Sequence, residues 1–133
     1  MSTGTKRAVV VGLDGATWDL MGPWAEQGVL PTVQRLMGEG SWGALESVMP
    51  PITGPSWTSF MTGKNPGQHG IYDFTRRLPG SYQTGPCNAS QRHGESLWRT
   101  LGRAGKRVCA LNVPATYPVE PVNGCLVSGM GTP

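Results

Sequence analysis

The sequence predicts an α/β protein built on a mostly parallel sheet with flanking helices. Two observations carry the prediction. Arg7–Leu13 (RAVVVGL), Lys106–Val113 (KRVCALNV) and Gly124–Ser128 (GCLVS) are continuous apolar, β-branched runs with little alternation, the signature of strands covered on both faces, as parallel strands are. Between them stand segments with apolar residues at helical spacing, and strand-helix-strand alternation is what a parallel sheet requires.

Each element follows from local chemistry. Arg7–Leu13 is expected as the first buried strand, closed by Asp14-Gly15. From Thr17, the positions Trp18, Met21, Trp24 and Ala25 recur at helical spacing, and Gly28 supplies a stop. Pro31 suits the first turn of a second helix, which presents Val33, Leu36 and Met37 on one face before Gly38 or Gly40. Ser41–Val48 alternates and predicts a strand, ended by Met49-Pro50-Pro51. Pro55–Met61 predicts a short helix with Gly63 near its C-terminus. Residues 64–93 lack periodicity and are expected as a long excursion with a function or small elements of its own. Leu97, Leu101 and Ala104 then mark a helix over 95–104, ended by Gly105, ahead of the strands at 106–113 and 124–128.

Composition bounds the function. The 133 residues suffice for one domain with one core, and 20 glycines and 12 prolines make it rich in loops. A net charge of +3 with scattered basic residues, among them the adjacent pairs Arg76-Arg77 and Lys106-Arg107, gives no nucleic-acid footprint, although it favours the approach of a phosphate-bearing substrate. Cys87, Cys109 and Cys125 form no Cys-x-x-Cys pair. Cys109 and Cys125 are expected to pack as small hydrophobes. The N-terminal apolar run is too short for a signal sequence, and no stretch approaches the roughly 20 apolar residues of a membrane span. A cytoplasmic protein that binds neither membrane nor nucleic acid is the expectation; its oligomeric state is open.

The chemistry gathers at two places. Asp14 follows one predicted strand, and Thr53 follows another and precedes a helix, so a parallel sheet would bring both to the edge where ligands bind. A carboxylate there can hold a cation, a cation can activate a hydroxyl, and a helix start favours phosphate. The plain alternative is that Asp14-Gly15 is a turn and Thr53 an N-cap. Trp57, four residues past Thr53, is a candidate wall of a substrate pocket. His69 is expected to hydrogen-bond within the turn before Gly70 rather than bind metal, His93 to be a loop residue, and Asp19 to face solvent on the first helix. Gly63-Lys64 follows a helix and is no phosphate-binding loop.

Four segments, VVVGLDGATWDL (9–20), PTVQRLMGEGSWGALES (31–47), PPITGPSWTSFMTGKNPGQHGIYDF (50–74) and NVPATYP (112–118), carry a resemblance to a known family. The chain resembles the alkaline phosphatase superfamily, and within it the type I phosphodiesterase/nucleotide pyrophosphatase branch with its related phosphohydrolases and phosphomutases. The third segment is the most specific, combining Thr-x-Pro, a helix, Thr-Gly and Pro-x-x-His-Gly-Ile in that order. The resemblance implies an alkaline-phosphatase-like fold and a metal-dependent hydrolase of phosphomonoesters or phosphodiesters. Its substrate would be a phosphate-ester small molecule or a nucleotide. By the same resemblance Thr53 is the nucleophile that becomes phosphothreonine, and Asp14 and Thr53 are metal ligands. Two divalent ions are implied, Zn²⁺ before Mn²⁺.

The sequence departs from that pattern in three places. Nucleotide pyrophosphatases place a phosphate-contacting Asn after the His-Gly-Ile segment, whereas Asp73-Phe74 stands here, leaving Asp73 a weak substrate contact. The sulfatase arrangement Cys-x-Pro-Ser-Arg is replaced by Thr53-Gly54-Pro55-Ser56-Trp57, which disfavours sulfatase chemistry. The downstream Asp and His ligands have no counterpart, because no Asp follows Asp73 and no His follows His93. Residues 1–133 are therefore expected to be the N-terminal portion of a catalytic domain. Taken alone, such a portion is expected to be inactive and poorly soluble. A non-catalytic fragment, or a phosphomutase in a full-length parent, is the alternative.

Overall fold

A computed structural model describes residues 7–133, which fall into two compact units, the first ending at Leu45 and the second spanning Glu46–Pro133. Each unit is described by itself.

In the first unit, α1 (Trp18–Glu26) starts where the Thr17 side chain accepts the Asp19 backbone N–H at 3.3 Å, satisfying a donor that a helix start leaves open. It stops where Gly28 turns to φ +75°, and the N–H groups of Val29 and Leu30 both return to the Trp24 carbonyl. Asp19 is exposed in the first turn, as expected. Pro31 opens α2 (Pro31–Glu39), whose exposed Arg35–Glu39 pair at 2.8 Å contributes at most about 0.5 kcal/mol. Trp18 and Trp42 meet with ring centroids 5.1 Å apart.

The two early strands are not formed. Residues 7–13 and 41–48 adopt no regular structure, and Val9, Val10 and Val11 are 86%, 69% and 78% exposed. A parallel strand is held by its neighbours' hydrogen bonds rather than its own, and among the described residues no strand pairs with either run. Asp14 consequently does not close a buried strand. It sits with Gly15 (φ +70°) at the centre of a turn closed by Ala16 N–H to the Leu13 carbonyl at 3.4 Å.

The second unit contains α3 (Thr53–Thr62), two residues longer at its start than the sequence predicts. Thr58 and Thr62 fold their hydroxyls back onto the carbonyls four residues earlier, each at 2.7 Å, and Gly63 ends the helix at φ +65°. The excursion at 64–93 carries small elements as expected. These are α4 (Pro66–His69) with its Asn65/Gln68 capping box, an antiparallel hairpin of β1 (Thr75–Arg77) and β2 (Thr84–Pro86), and a single 3₁₀ turn over Ala89–Gln91. Ser96 caps α5 (Leu97–Arg103), and β3 (Val108–Val113) pairs in parallel with β4 (Gly124–Ser128).

The fold is thus mixed α/β with two small sheets of two strands each, of which one is parallel. It is consistent with an incomplete alkaline-phosphatase-like fold, but a broad parallel sheet is absent among the described residues. The second unit's core is Met61, Ile71 and Trp98, with Thr58, His69, Ser96 and Thr116 buried around them. Cys109 and Cys125 are exposed free thiols, not the buried small hydrophobes expected, because they point to the face of β3–β4 that nothing covers. Among the described residues no helix is long and apolar enough to cross a membrane.

Candidate functional site

Thr53 occupies the first helical position of α3. Its neighbour Ile52 is the N-cap and makes no side-chain capping bond, so the N-cap alternative for Thr53 does not hold. The residue is half-buried. The first N–H groups of a helix lack intrahelical acceptors, which suits the start of α3 to an anion, although Pro55 has no N–H and contributes no donor there.

Gly54 brings a second segment against this turn. A Cβ at that position would lie 3.5 Å from the Asp73 carbonyl oxygen and 3.9 Å from the Ile71 side chain. Asp73 is exposed, and its Oδ1 accepts the Phe74 N–H at 2.6 Å. Trp57 lies one turn along α3, edge-on to Phe60 with centroids 5.8 Å apart.

Beneath Gly54 and Asp73 is a cavity of about 20 Å³, also lined by Thr58, Arg92, Ala115 and Met130. Ala115 and Met130 stand just past the carboxyl ends of β3 and β4 and are joined by the Ala115 N–H to the Met130 carbonyl at 3.1 Å. The carboxyl edge of the parallel pair and the start of α3 therefore converge, the place where open α/β sheets bind ligands. The cavity has room for one water and not for a phosphate group.

His69 fixes this arrangement. It is fully buried; Nδ1 accepts the Ile71 N–H at 3.1 Å, and Nε2 lies 3.0 Å from Ser59 Oγ. An acceptor at Nδ1 puts the proton on Nε2, which donates to Ser59. Burial lowers the imidazole pKa; the Pro55 carbonyl opposes the shift, and the Arg92 charge adds to it. With both nitrogens engaged, His69 is the turn-holding residue expected and not a metal ligand. His93 is an exposed loop residue whose N–H bonds the His69 carbonyl at 2.9 Å.

Sequence reasoning missed the polar cluster behind the cavity. Glu120 accepts from Arg92 Nη2 at 2.8 Å and from Trp98 Nε1 at 2.7 Å, with Arg99 at 3.8 Å. Burial raises the Glu120 pKa, but hydrogen bonds from Ser96, Trp98 and Arg92 outweigh it, and the carboxylate stays charged below its usual range. Arg92 Nη1 lies 2.8 Å from Met61 Sδ, and its buried Nε makes no hydrogen bond among the described residues. No spacing signal in the sequence links residues 92, 98 and 120.

The metal expectation meets a limit. Among the described residues, no three His, Cys, Asp or Glu side chains gather where they could hold a metal ion. Asp14 belongs to the first unit and Thr53 to the second. These residues do not by themselves fit a two-ion centre.

The α/β scaffold sets the Thr53 hydroxyl at a helix start near the carboxyl ends of β3 and β4, a setting suited to an anionic ligand. Comparison with protein families makes this specific: the profile of the type I phosphodiesterase / nucleotide pyrophosphatase family matches residues 8–130. The chain belongs to that family, whose chemistry is the hydrolysis of phosphate esters and nucleotides. Searches of curated proteins and of solved structures each returned no match.

Proposed function

We propose that this chain carries the nucleophile of a metal-dependent phosphoester hydrolase that acts on a small phosphate ester or a nucleotide through a phosphothreonine intermediate. The observation that carries this reading is the position of Thr53, first in α3 and next to Gly54, whose backbone meets Asp73 over the cavity at the sheet's carboxyl edge. In it, Thr53 Oγ1 attacks phosphorus in line, the alcohol or nucleotide leaving group departs, and water later cleaves the threonine ester. The N–H groups at the start of α3 face the phosphoryl oxygens, where their partial charge favours the anion.

Asp73 and Trp57 are the weaker substrate contacts of this reading, the first beside Gly54 and the second one turn along α3. Asp14 and Thr53 are this chain's own candidates for holding a divalent ion, Zn²⁺ before Mn²⁺. Such an ion would lower the pKa of a bound hydroxyl and neutralise phosphoryl charge; further donors have to come from beyond these two residues. A second reading, a non-catalytic phosphate-binding piece, is favoured by the lack of a three-residue metal cluster among the described residues. Transfer of the phosphoryl group to a second hydroxyl of the substrate instead of water would make the enzyme a phosphomutase.

Turnover of bis(p-nitrophenyl) phosphate and p-nitrophenyl phosphate by the intact protein that carries this chain, with Zn²⁺ or Mn²⁺, followed by acid quench and peptide mass mapping, tests the proposal. The expected result is a phosphoryl group on Thr53 and a loss of about a hundredfold or more in kcat/KM for Thr53→Ala. Full turnover by Thr53→Ala, or a phosphoryl group on another residue, would overturn it. A chain that turns over neither ester and takes up no phosphoryl group supports the second reading.

A further inference from the structure

Cys109 of β3 and Cys125 of β4 are direct lateral partners in the parallel ladder, and both are exposed free thiols. Neighbouring strands lie about 4.8 Å apart, inside the Cα separation of about 4.4–6.8 Å that disulfides span. Laterally paired residues send their side chains to the same face, which here also carries Leu111 and Val127, 61% and 53% exposed. Bonding requires the Cβ atoms to approach to about 3.5–4.5 Å. Both sulfurs lie on an open face, since both cysteines are exposed and among the described residues no third strand flanks the pair.

We propose that Cys109 and Cys125 form one two-thiol modification site that is oxidised as a pair by a low-molecular-weight disulfide. One thiolate attacks a sulfur of the small disulfide, forming a mixed disulfide and expelling one small thiolate. The second cysteine's thiolate then attacks the protein sulfur of that mixed disulfide, closing the Cys109–Cys125 bond and releasing the second small thiolate. Two protein thiols lose two electrons, the small disulfide gains them, and the two thiol protons end on the two released thiols. Pre-alignment on adjacent strands makes the second step intramolecular, so the mixed disulfide does not accumulate. Cys87 stands apart: it is half-buried between other elements, and burial raises its thiol pKa, which lowers its thiolate fraction. The site is independent of the phosphoesterase reading.

The test uses the full chain carrying Cys87→Ser, treated with oxidised glutathione and analysed by intact mass and non-reducing peptide mapping. The expected product is a monomer about two mass units lighter, with a 109–125 cross-link and no retained glutathione. Cys109→Ser and Cys125→Ser in that background are each expected to retain one glutathione on the remaining cysteine. Ring closure is expected to slow by about tenfold or more in guanidinium chloride, where the strands no longer align the thiols. Retention of two glutathiones, a disulfide between two chains, or closure equally fast in denaturant would overturn the proposal.

Discussion

The Nδ1 of His69 accepts the backbone N–H of Ile71 at 3.1 Å from a ring with no solvent exposure. One imidazole therefore ties α3, through Ser59, to the segment that carries Asp73. Its charge state is part of the fold, since a proton on Nδ1 would replace the acceptor with a second donor facing the Ile71 N–H.

The lowered pKa of His69 predicts the sign of a pH effect. Above about pH 6.5 both folded and unfolded forms are neutral and the stabilisation is fully present. As pH falls below that value the unfolded chain takes up the proton first, and stability declines toward the folded-state pKa. Chemical denaturation from pH 8 to pH 5 should show this slope, and His69→Asn should flatten it while keeping an oxygen acceptor near the Ile71 N–H. An unchanged slope in His69→Asn would count against the neutral assignment.

Loss of Glu120 should be among the costliest single changes outside the nucleophile. Its side chain is 18% exposed and that of Arg92 8%, so Glu120→Ala leaves a buried guanidinium unpaired, at a cost of about 3 kcal/mol. Because the Glu120 pKa is lowered on folding, this contribution is present above the ordinary glutamate range and fades as pH falls through the folded-state value. Urea denaturation of wild type and variant at pH 7 and pH 4 checks both statements.

Gly54 sets the approach of the Asp73 segment to α3. A single added methyl would sit at ordinary contact distance, 3.5 Å from the Asp73 carbonyl, so Gly54→Ala should change stability by less than about 1 kcal/mol. Gly54→Leu overfills the contact and should cost about 1–3 kcal/mol. Thermal denaturation of the two variants distinguishes them.

Zn²⁺ titration should show no tight binding of two ions by these 133 residues, given that no three metal-binding side chains cluster among those described. Calorimetry measures this directly; two tight equivalents would contradict it.

The bare apolar run at Val9–Val11 should bind a hydrophobic dye and promote self-association. Val9→Lys with Val11→Lys should lower dye fluorescence and light scattering while leaving the melting temperature within a few degrees, about what a surface change costs.

Helices were legible where a local device coincided with an apolar periodicity, and α4, marked by its Asn65/Gln68 capping box alone, was not. Thr17 and Gly28 bracket α1, Pro31 opens α2, Gly63 closes α3 and Ser96 caps α5, and these signals act within a few residues of one another. Strands were legible only in part. Val108–Val113 and Gly124–Ser128 pair with each other, whereas the equally β-branched run at 7–13 finds no partner strand among the described residues.

By itself the sequence determined the family, the α/β class, the hydroxyl at 53 and the histidine that holds the turn before Gly70. Those features reside in short contiguous segments whose chemistry is local. Only the tertiary structure decided that α3 begins at Thr53, that Arg92, Trp98 and Glu120 form one buried cluster, and that Cys109 faces Cys125. Each of these joins residues distant in the chain or depends on packing around them, and neither spacing nor propensity records which distant groups a fold will bring within hydrogen-bonding reach.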